Sequence, residues 1–383
     1  MEATPPAVFE IGFVLLLAAV AGWLARRAGL PAVLGYLAIG VVVSPFTPGY
    51  TADRHQLQLF ADVGVVLLLF EVGIEIDPLE LGLERSRLLL LAPLQTVLSA
   101  GLGGAAGLVL GLRPAGAALL GLCLALSSSV VVVNVTRSRR RTTDAATDEA
   151  LLGWSVIQDV AGVLLSIVAL ITFGLESQSG SIAVALALAY LAAVVAAGGF
   201  FPFVLRRLHQ EHDLFLIFTV ATALALAGLG AVVFGIPLAL AAFICGLAIS
   251  ESREATEARE RLLPFRDVFA VLFFVAIGAL IDPGALARGL GWLGLLLGLL
   301  LLTKVLPVYL LARLTGLPGR PLQLAVGLGQ IGEFSFVLAT IGLARHVIPD
   351  DLYAAILASV VVTIAASTVL VRLRGPEPGR RAS

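Results

Sequence analysis

DVGVVLLLFEVGIEIDP, residues 62–78, is answered 205 positions later by DVFAVLFFVAIGALIDP, residues 267–283. The two 17-residue stretches are identical at 8 positions, and each runs from an Asp to a closing Asp-Pro. Shared apolar composition does not by itself produce matching ends. Each copy is apolar enough to lie in lipid, so the fold turns on how many similar segments separate them.

Thirteen apolar segments can be counted between charged or Pro/Gly-containing breaks: 8–25, 31–43, 57–76, 88–112, 115–135, 149–173, 181–205, 213–233, 236–250, 263–281, 285–312, 321–344 and 351–373. The copies fall in the third and tenth, an odd number of crossings apart, so they are expected to run in opposite directions. The expectation is an all-α polytopic membrane protein of 13 transmembrane helices, built as two inverted six-helix repeats with crossed, broken helices. The repeats would cover 1–175 and 211–375, with a linker helix over 176–210 and a basic tail at 376–383.

A mean hydropathy of +1.02, with 59% hydrophobic and only 13% charged residues, excludes an ordinary soluble domain. The partner this surface fits is the lipid bilayer, and no nucleic acid is expected. Of the basic residues, 20 fall on one side of the alternating loops, while the other side has only Arg54, Arg113, Arg288 and Arg345. By the positive-inside rule the C-terminus is cytoplasmic and the N-terminus outside, in what is expected to be a bacterial inner membrane. MEATPPAVFE has no basic region ahead of its apolar run, which argues against a cleaved signal peptide. Cys123 and Cys245 each sit in an apolar run and read as small core residues, not a disulfide or metal pair.

Ionisable residues inside such spans are candidate functional groups. In GWSVIQDVAGVLL, residues 153–165, the Gln158-Asp159 pair lies roughly 15 Å into the apolar run that follows Glu149. A carboxylate at that depth suits an ion or proton site; a structural Asp paired inside the bundle is the alternative. Lys304, the single Lys of the chain, stands in LLLTKVLPVYLLA about 13 Å before the charged end at Arg313. It is too deep to snorkel fully. It is expected to pair with Asp159, or else to tie two broken helix ends.

The offset of 205 sends Ser127–Ser129 of ALSSSVVVV onto Gly332–Phe334 of GQIGEFSFVL. Both are polar interruptions inside apolar segments, where a helix can unwind and present carbonyls to a cation. Ser hydroxyls bonded back to their own helix are the bland alternative. Gln330 and Glu333 are secondary candidates, Glu333 as a partner of Lys304 or a second proton site. Glu71 and Glu75 read as interfacial or structural, and Asp62 and Asp267 as end-of-helix residues.

Together, PAVLGYLAIGVVVSP, LLLFEVGIEIDP, ALSSSVVVV, Gln158-Asp159, LFFVAIGALIDP and GQIGEFSFVL resemble the membrane domain of monovalent cation:proton antiporters, nearest the Kef-type potassium branch, from about Pro31 to Leu373. The resemblance implies a transporter and not an enzyme, without a cofactor, whose substrates are a monovalent cation and the proton. Segments 4–6 and 11–13 would form a mobile transport core, and segments 1–3 and 8–10 a scaffold that makes a homodimer. Asp159 would take the cation or proton, with Gln158, Ser127 and Ser128 beside it and Lys304 as the basic residue of the core. Kef-type chains usually continue into a cytosolic regulatory domain, whereas this one ends in LRGPEPGRRAS, so gating by such a domain in cis is not expected. A separate regulatory subunit is left open. Gln158 stands where relatives with two acids are electrogenic, so one-for-one exchange is expected, with potassium first and sodium second. A cation channel or leak pathway of the same fold and a non-transporting membrane sensor are the rival readings.

Overall fold

In lipid a backbone must satisfy its own polar groups, in helices or in a closed barrel, and in its long apolar runs this chain takes the helix. The computed structural model describes residues 4–44, 54–75, 86–136, 143–173, 180–250, 252–279, 281, 283–332 and 334–373. Among these residues there is no strand. Among the described residues, eight helices are long and apolar enough to cross a membrane, and four shorter apolar helices accompany them. The Asp-Pro ends of the two repeat copies and Glu333 lie outside the described residues or side chains.

The chain divides into two units. The first comprises residues 1–21, 35–80 and 176–280. It takes in most of α1 (Thr4–Arg27) and α2 (Ala32–Val42), then α3 (Arg54–Glu75), later α8 (Gly180–Leu208), α9 (His212–Val232), α10 (Leu238–Ile249) and α11 (Arg253–Ala279). The second comprises residues 22–34, 81–175 and 281–383. It holds α4 (Ser86–Val109), α5 (Pro114–Ala125), α6 (Ser129–Thr136) and α7 (Ala145–Thr172). To these it adds α12 (Pro283–Arg288), α13 (Leu290–Leu300), a π-helical turn (Leu301–Val305), α14 (Leu306–Leu314), α15 (Pro321–Gly327), α16 (Phe334–Ala344) and α17 (Asp350–Leu373).

In the first unit, glycines let backbones touch. A Cβ on Gly73 of α3 would strike the Phe243 carbonyl of α10, next to Gly246; a Cβ on Gly278 of α11 would strike the Leu37 carbonyl of α2, next to Gly40. Gly73 and Gly278 are the same position of the two repeat copies. Glu71 of α3 is buried and is gripped by two guanidiniums of α11, Arg259 at 2.6 Å and Arg266 at 2.7 Å. It therefore binds inside protein, as the structural reading of its sequence position expects.

α11 begins about ten residues before the tenth apolar segment. The charged stretch REATEARER reads as a loop by hydropathy, yet Ala255, Ala258 and Leu262 form a buried stripe at helical spacing. In the second unit, Trp154 of α7 belongs to an apolar cluster with Leu88, Leu91, Val308 and Leu324. The π turn precedes Pro307, which has no N–H for the Thr303 carbonyl and whose ring would crowd it; the wider turn bonds Leu306 N to Leu301 O instead. Cys123 and Cys245 are free and buried.

Candidate ion-binding site

All the described candidate residues fall in the second unit. Asp159 lies midway along the 28-residue α7 and is only 2% exposed. Ser155, one turn earlier on the same face, is buried as well. α7 starts where it does because Asp144 caps it, accepting from Thr147 N at 2.8 Å and pairing with Arg320 Nε at 3.0 Å. Burial works to raise the Asp144 carboxyl, but the Thr147 backbone and hydroxyl and the Arg320 guanidinium outweigh it and hold the group below its ordinary 3.8. Arg320 N also donates to Thr147 Oγ1 at 2.9 Å, which fixes the start of α15 against the start of α7.

Beside α7, two chain interruptions cross. α5 ends at Ala125, Leu126 is extended at φ −88° and ψ 137°, and α6 begins at Ser129. The second gap runs between α15 and α16. Gly332 N donates to Leu126 O at 2.9 Å, and a Cβ on Gly332 would collide with the Ser127 carbonyl, so only Gly fits at the crossing. Ser127 Oγ donates to Leu328 O at 2.7 Å, while Ser128 Oγ accepts from Val131 N at 3.3 Å. Both hydroxyls thus hold the chain. Ser129, half-buried, opens α6.

Two glutamines service the exposed N–H groups of the first interruption. Gln158 Oε1 accepts from Ser127 N at 3.0 Å, and Gln330 Oε1 accepts from Ser128 N at 2.8 Å. The Gln330 amide also donates to Ser128 O at 3.1 Å. Lys304, fully buried on the π turn, spans both interruptions: its Nζ donates to Leu126 O at 2.7 Å and to Gln330 O at 2.6 Å. Of the two alternatives that the sequence suggests for Lys304, partner of Asp159 or tie between broken helix ends, these two bonds describe the tie.

Three residues escape the sequence reading. Gln95 of α4 receives the Trp154 indole N–H at 3.1 Å and the Gln158 amide at 2.6 Å. Ser155 is one turn from Asp159, and Thr303, next to Lys304, has a buried hydroxyl with no hydrogen-bond partner among the described residues. Gln95 has a visible signal, since Gln95, Thr96 and Ser99 are three buried polar residues on an otherwise apolar helix. Among the described residues no cluster of three His, Cys, Asp or Glu side chains could hold a resident metal. The arrangement offers one buried carboxylate beside hydroxyls and unwound carbonyls, a set suited to a proton or a monovalent cation.

Residues 15–373 match the family described as "Sodium/hydrogen exchanger, transmembrane". The chain is 31% identical over 387 aligned positions to the "Putative cation/proton antiporter YbaL" of Escherichia coli (strain K12), covering 97% of this chain and 69% of that protein. Its fold is similar to that of the sodium proton antiporter MjNhaP1 from Methanocaldococcus jannaschii at pH 8, with a TM-score of 0.73 and 20% identity over 98% of this chain and 99% of that one. A second structure of the same antiporter, from an electron-microscopy map, gives a TM-score of 0.70 at 17% identity, covering 97% and 96% of the two chains. The chain belongs to the transmembrane sodium/hydrogen exchanger family, and is a monovalent cation:proton antiporter and not an enzyme.

Proposed function

We propose that the protein exchanges one monovalent cation for one proton at a single site, the Asp159 carboxylate, by alternating access. The observation that carries this reading is the placement of Asp159: buried at mid-helix, next to two crossed interruptions whose carbonyls and backbone N–H groups are fixed by Lys304, Gln158 and Gln330. An ionised, empty site is costly to carry through a low-dielectric barrier, whereas one neutralised by a proton or a cation is not. That penalty couples the two fluxes.

Position 158 is a Gln, so the pair has one ionisable member and the exchange is electroneutral. Potassium is the first choice of cation, from the Kef-like Gln158-Asp159 pair, and sodium the second. The second unit is the moving transport core and the first the scaffold, through which two copies form a homodimer. Thirteen crossings in two inverted repeats underlie both units. The glycine contacts of α3 with α10 and of α11 with α2 support the repeat, because they exchange partners as inversion requires. The N-terminus is outside and the C-terminus in the cytoplasm of a bacterial inner membrane, consistent with the loop Arg bias.

Purified protein in proteoliposomes, given potassium, sodium or lithium gradients with and without a clamped membrane potential, tests the reading. Cation-driven proton flux independent of the clamp is expected, and Asp159→Asn should lose it while remaining folded. Exchange at the wild-type rate by Asp159→Asn rules the site out.

A further inference from the structure

The buried amides of Gln95 and Gln158 are oriented by groups that can only donate. The Trp154 indole N–H has no acceptor capacity, so the Gln95 atom facing it at 3.1 Å is Oε1. That oxygen then requires a donor from Gln158, and the Gln158 Nε2 supplies it at 2.6 Å, with a second bond to Ala125 O at 3.0 Å. The other end of Gln158 is thereby Oε1, and it meets Ser127 N at 3.0 Å, again a group that can only donate. The remaining end of Gln95 is closed by a bond from Nε2 to Ser99 Oγ at 2.8 Å. Gln95, Ser99, Trp154 and Gln158 are all buried, so water does not compete for these bonds.

We propose that Gln95, oriented by Trp154, is a positioning residue for the exchange: it locks the Gln158 amide and, through it, the unwound backbone at Ser127 beside Asp159. The proposal rests on Asp159 as the exchanging carboxylate. Gln95 touches neither ion; it acts through Gln158. The lock also settles what position 158 can be. One side of it must donate to both Gln95 Oε1 and Ala125 O while the other accepts from Ser127 N; an amide has the two N–H bonds this needs, whereas a neutral acid has one O–H and would leave one acceptor unserved. An ionised carboxylate would turn an acceptor onto two acceptors. The relay therefore keeps position 158 uncharged and leaves Asp159 as the sole charge of the pair.

The test is exchange in proteoliposomes across a range of potassium and sodium concentrations and of pH, with melting temperature measured in parallel. Gln95→Met keeps the size and removes both polar atoms. Of the three hydrogen bonds it loses, the one from Gln158 bears on the site, and its apparent KM for the cation is expected to rise on the order of tenfold, with the pH midpoint displaced and the maximal rate little changed. Gln95→Glu, whose neutral acid can accept from Trp154 and Gln158 and donate to Ser99, should restore KM toward wild type. Trp154→Phe frees the Gln95 amide to flip and should raise KM in the same direction.

A Gln95→Met protein with wild-type KM and pH midpoint, whether or not its melting temperature falls, overturns the proposal. Should Gln95→Met not accumulate in folded form, Trp154→Phe decides alone: a raised KM supports the relay and an unchanged one overturns it. Asp159→Asn separates the two readings, because residual exchange there condemns the site itself, whereas a dead Asp159→Asn beside an unaltered Gln95→Met condemns only the relay.

Discussion

The Lys304 ammonium donates to the carbonyl of Leu126 at 2.7 Å, bridging 178 residues of sequence, and the same carbonyl accepts from Gly332 N at 2.9 Å. One oxygen at the end of α5 thus collects a side chain from the π turn and a backbone amide from the second interruption. A Lys has enough N–H groups to serve both Leu126 and Gln330 carbonyls as an ammonium or as an amine, so the tie survives a change of charge.

Replacing Lys304 by Met should therefore show up first as stability. Leu126 O keeps the Gly332 bond, but Gln330 O loses its Lys304 donor in a buried setting, at a cost of about 1–3 kcal/mol. Thermal unfolding in detergent should record a lower midpoint than that of wild type. An unchanged midpoint would remove Lys304 from the crossing.

Gly332→Ala probes the crossing from its other side. The added methyl runs into the Ser127 carbonyl, which is backbone and has no rotamer to escape into. Overpacking of this kind costs about 1–3 kcal/mol and should separate the two interruptions, reducing exchange more than the melting shift alone explains. Gly12, mid-helix in α1 and with an open Cβ position, is the matched control: Gly12→Ala should leave exchange at wild type and the melting temperature unchanged or slightly raised.

Glu71 is predicted to be an anchor and not an ion site. Removing its charge in Glu71→Gln leaves Arg259 and Arg266 facing each other without the carboxylate between them. Buried pairs broken on one side typically cost about 3–5 kcal/mol, and the partial exposure of the two guanidiniums points to the lower end. The expected phenotype is a large fall in melting temperature with cation KM unaltered in the protein that remains folded. A changed KM with unchanged stability would place Glu71 in the transport path.

The Asp144 cap gives a pH dependence with a defined sign. Its folded-state carboxyl is held below 3.8, so its contribution is present in full above that value and is lost as pH falls through the lowered folded value. Asp144→Ala should melt below wild type at neutral pH, and the gap should narrow in acid. A gap that stays constant down to pH well below 3.8 contradicts the assignment.

Much of this architecture is written in composition. Polar interruptions at Ser127 and Gly332 stand out against Val and Leu, and a charge at Asp159 or Lys304 stands out more. Those residues, with Gln158, Ser128 and Gln330, meet in the second unit, although sequence alone does not say which oxygen each one addresses. Gln95 is only half legible: the polar trio Gln95, Thr96 and Ser99 marks its helix, but what the amide addresses shows only where Trp154 and Gln158 converge on it. The start of α11 was hidden for the opposite reason: its outer face is so charged that average hydropathy masks the Ala255, Ala258 and Leu262 stripe. The π turn has no hydropathy signature at all, only Pro307 downstream.

That turn makes residue number itself a constraint. Because Leu306 reaches back five places to Leu301 where an ordinary helix reaches four, one extra residue is accommodated in the circuit. Deleting any one of Leu301, Leu302 or Thr303 would let the rod close into plain α-helix, and everything upstream, α13 included, would swivel by roughly 100° about the axis relative to Lys304. Length in this five-residue window is therefore as much a part of the site as chemistry, and insertions or deletions here should be tolerated far less well than substitutions of its lipid-facing leucines.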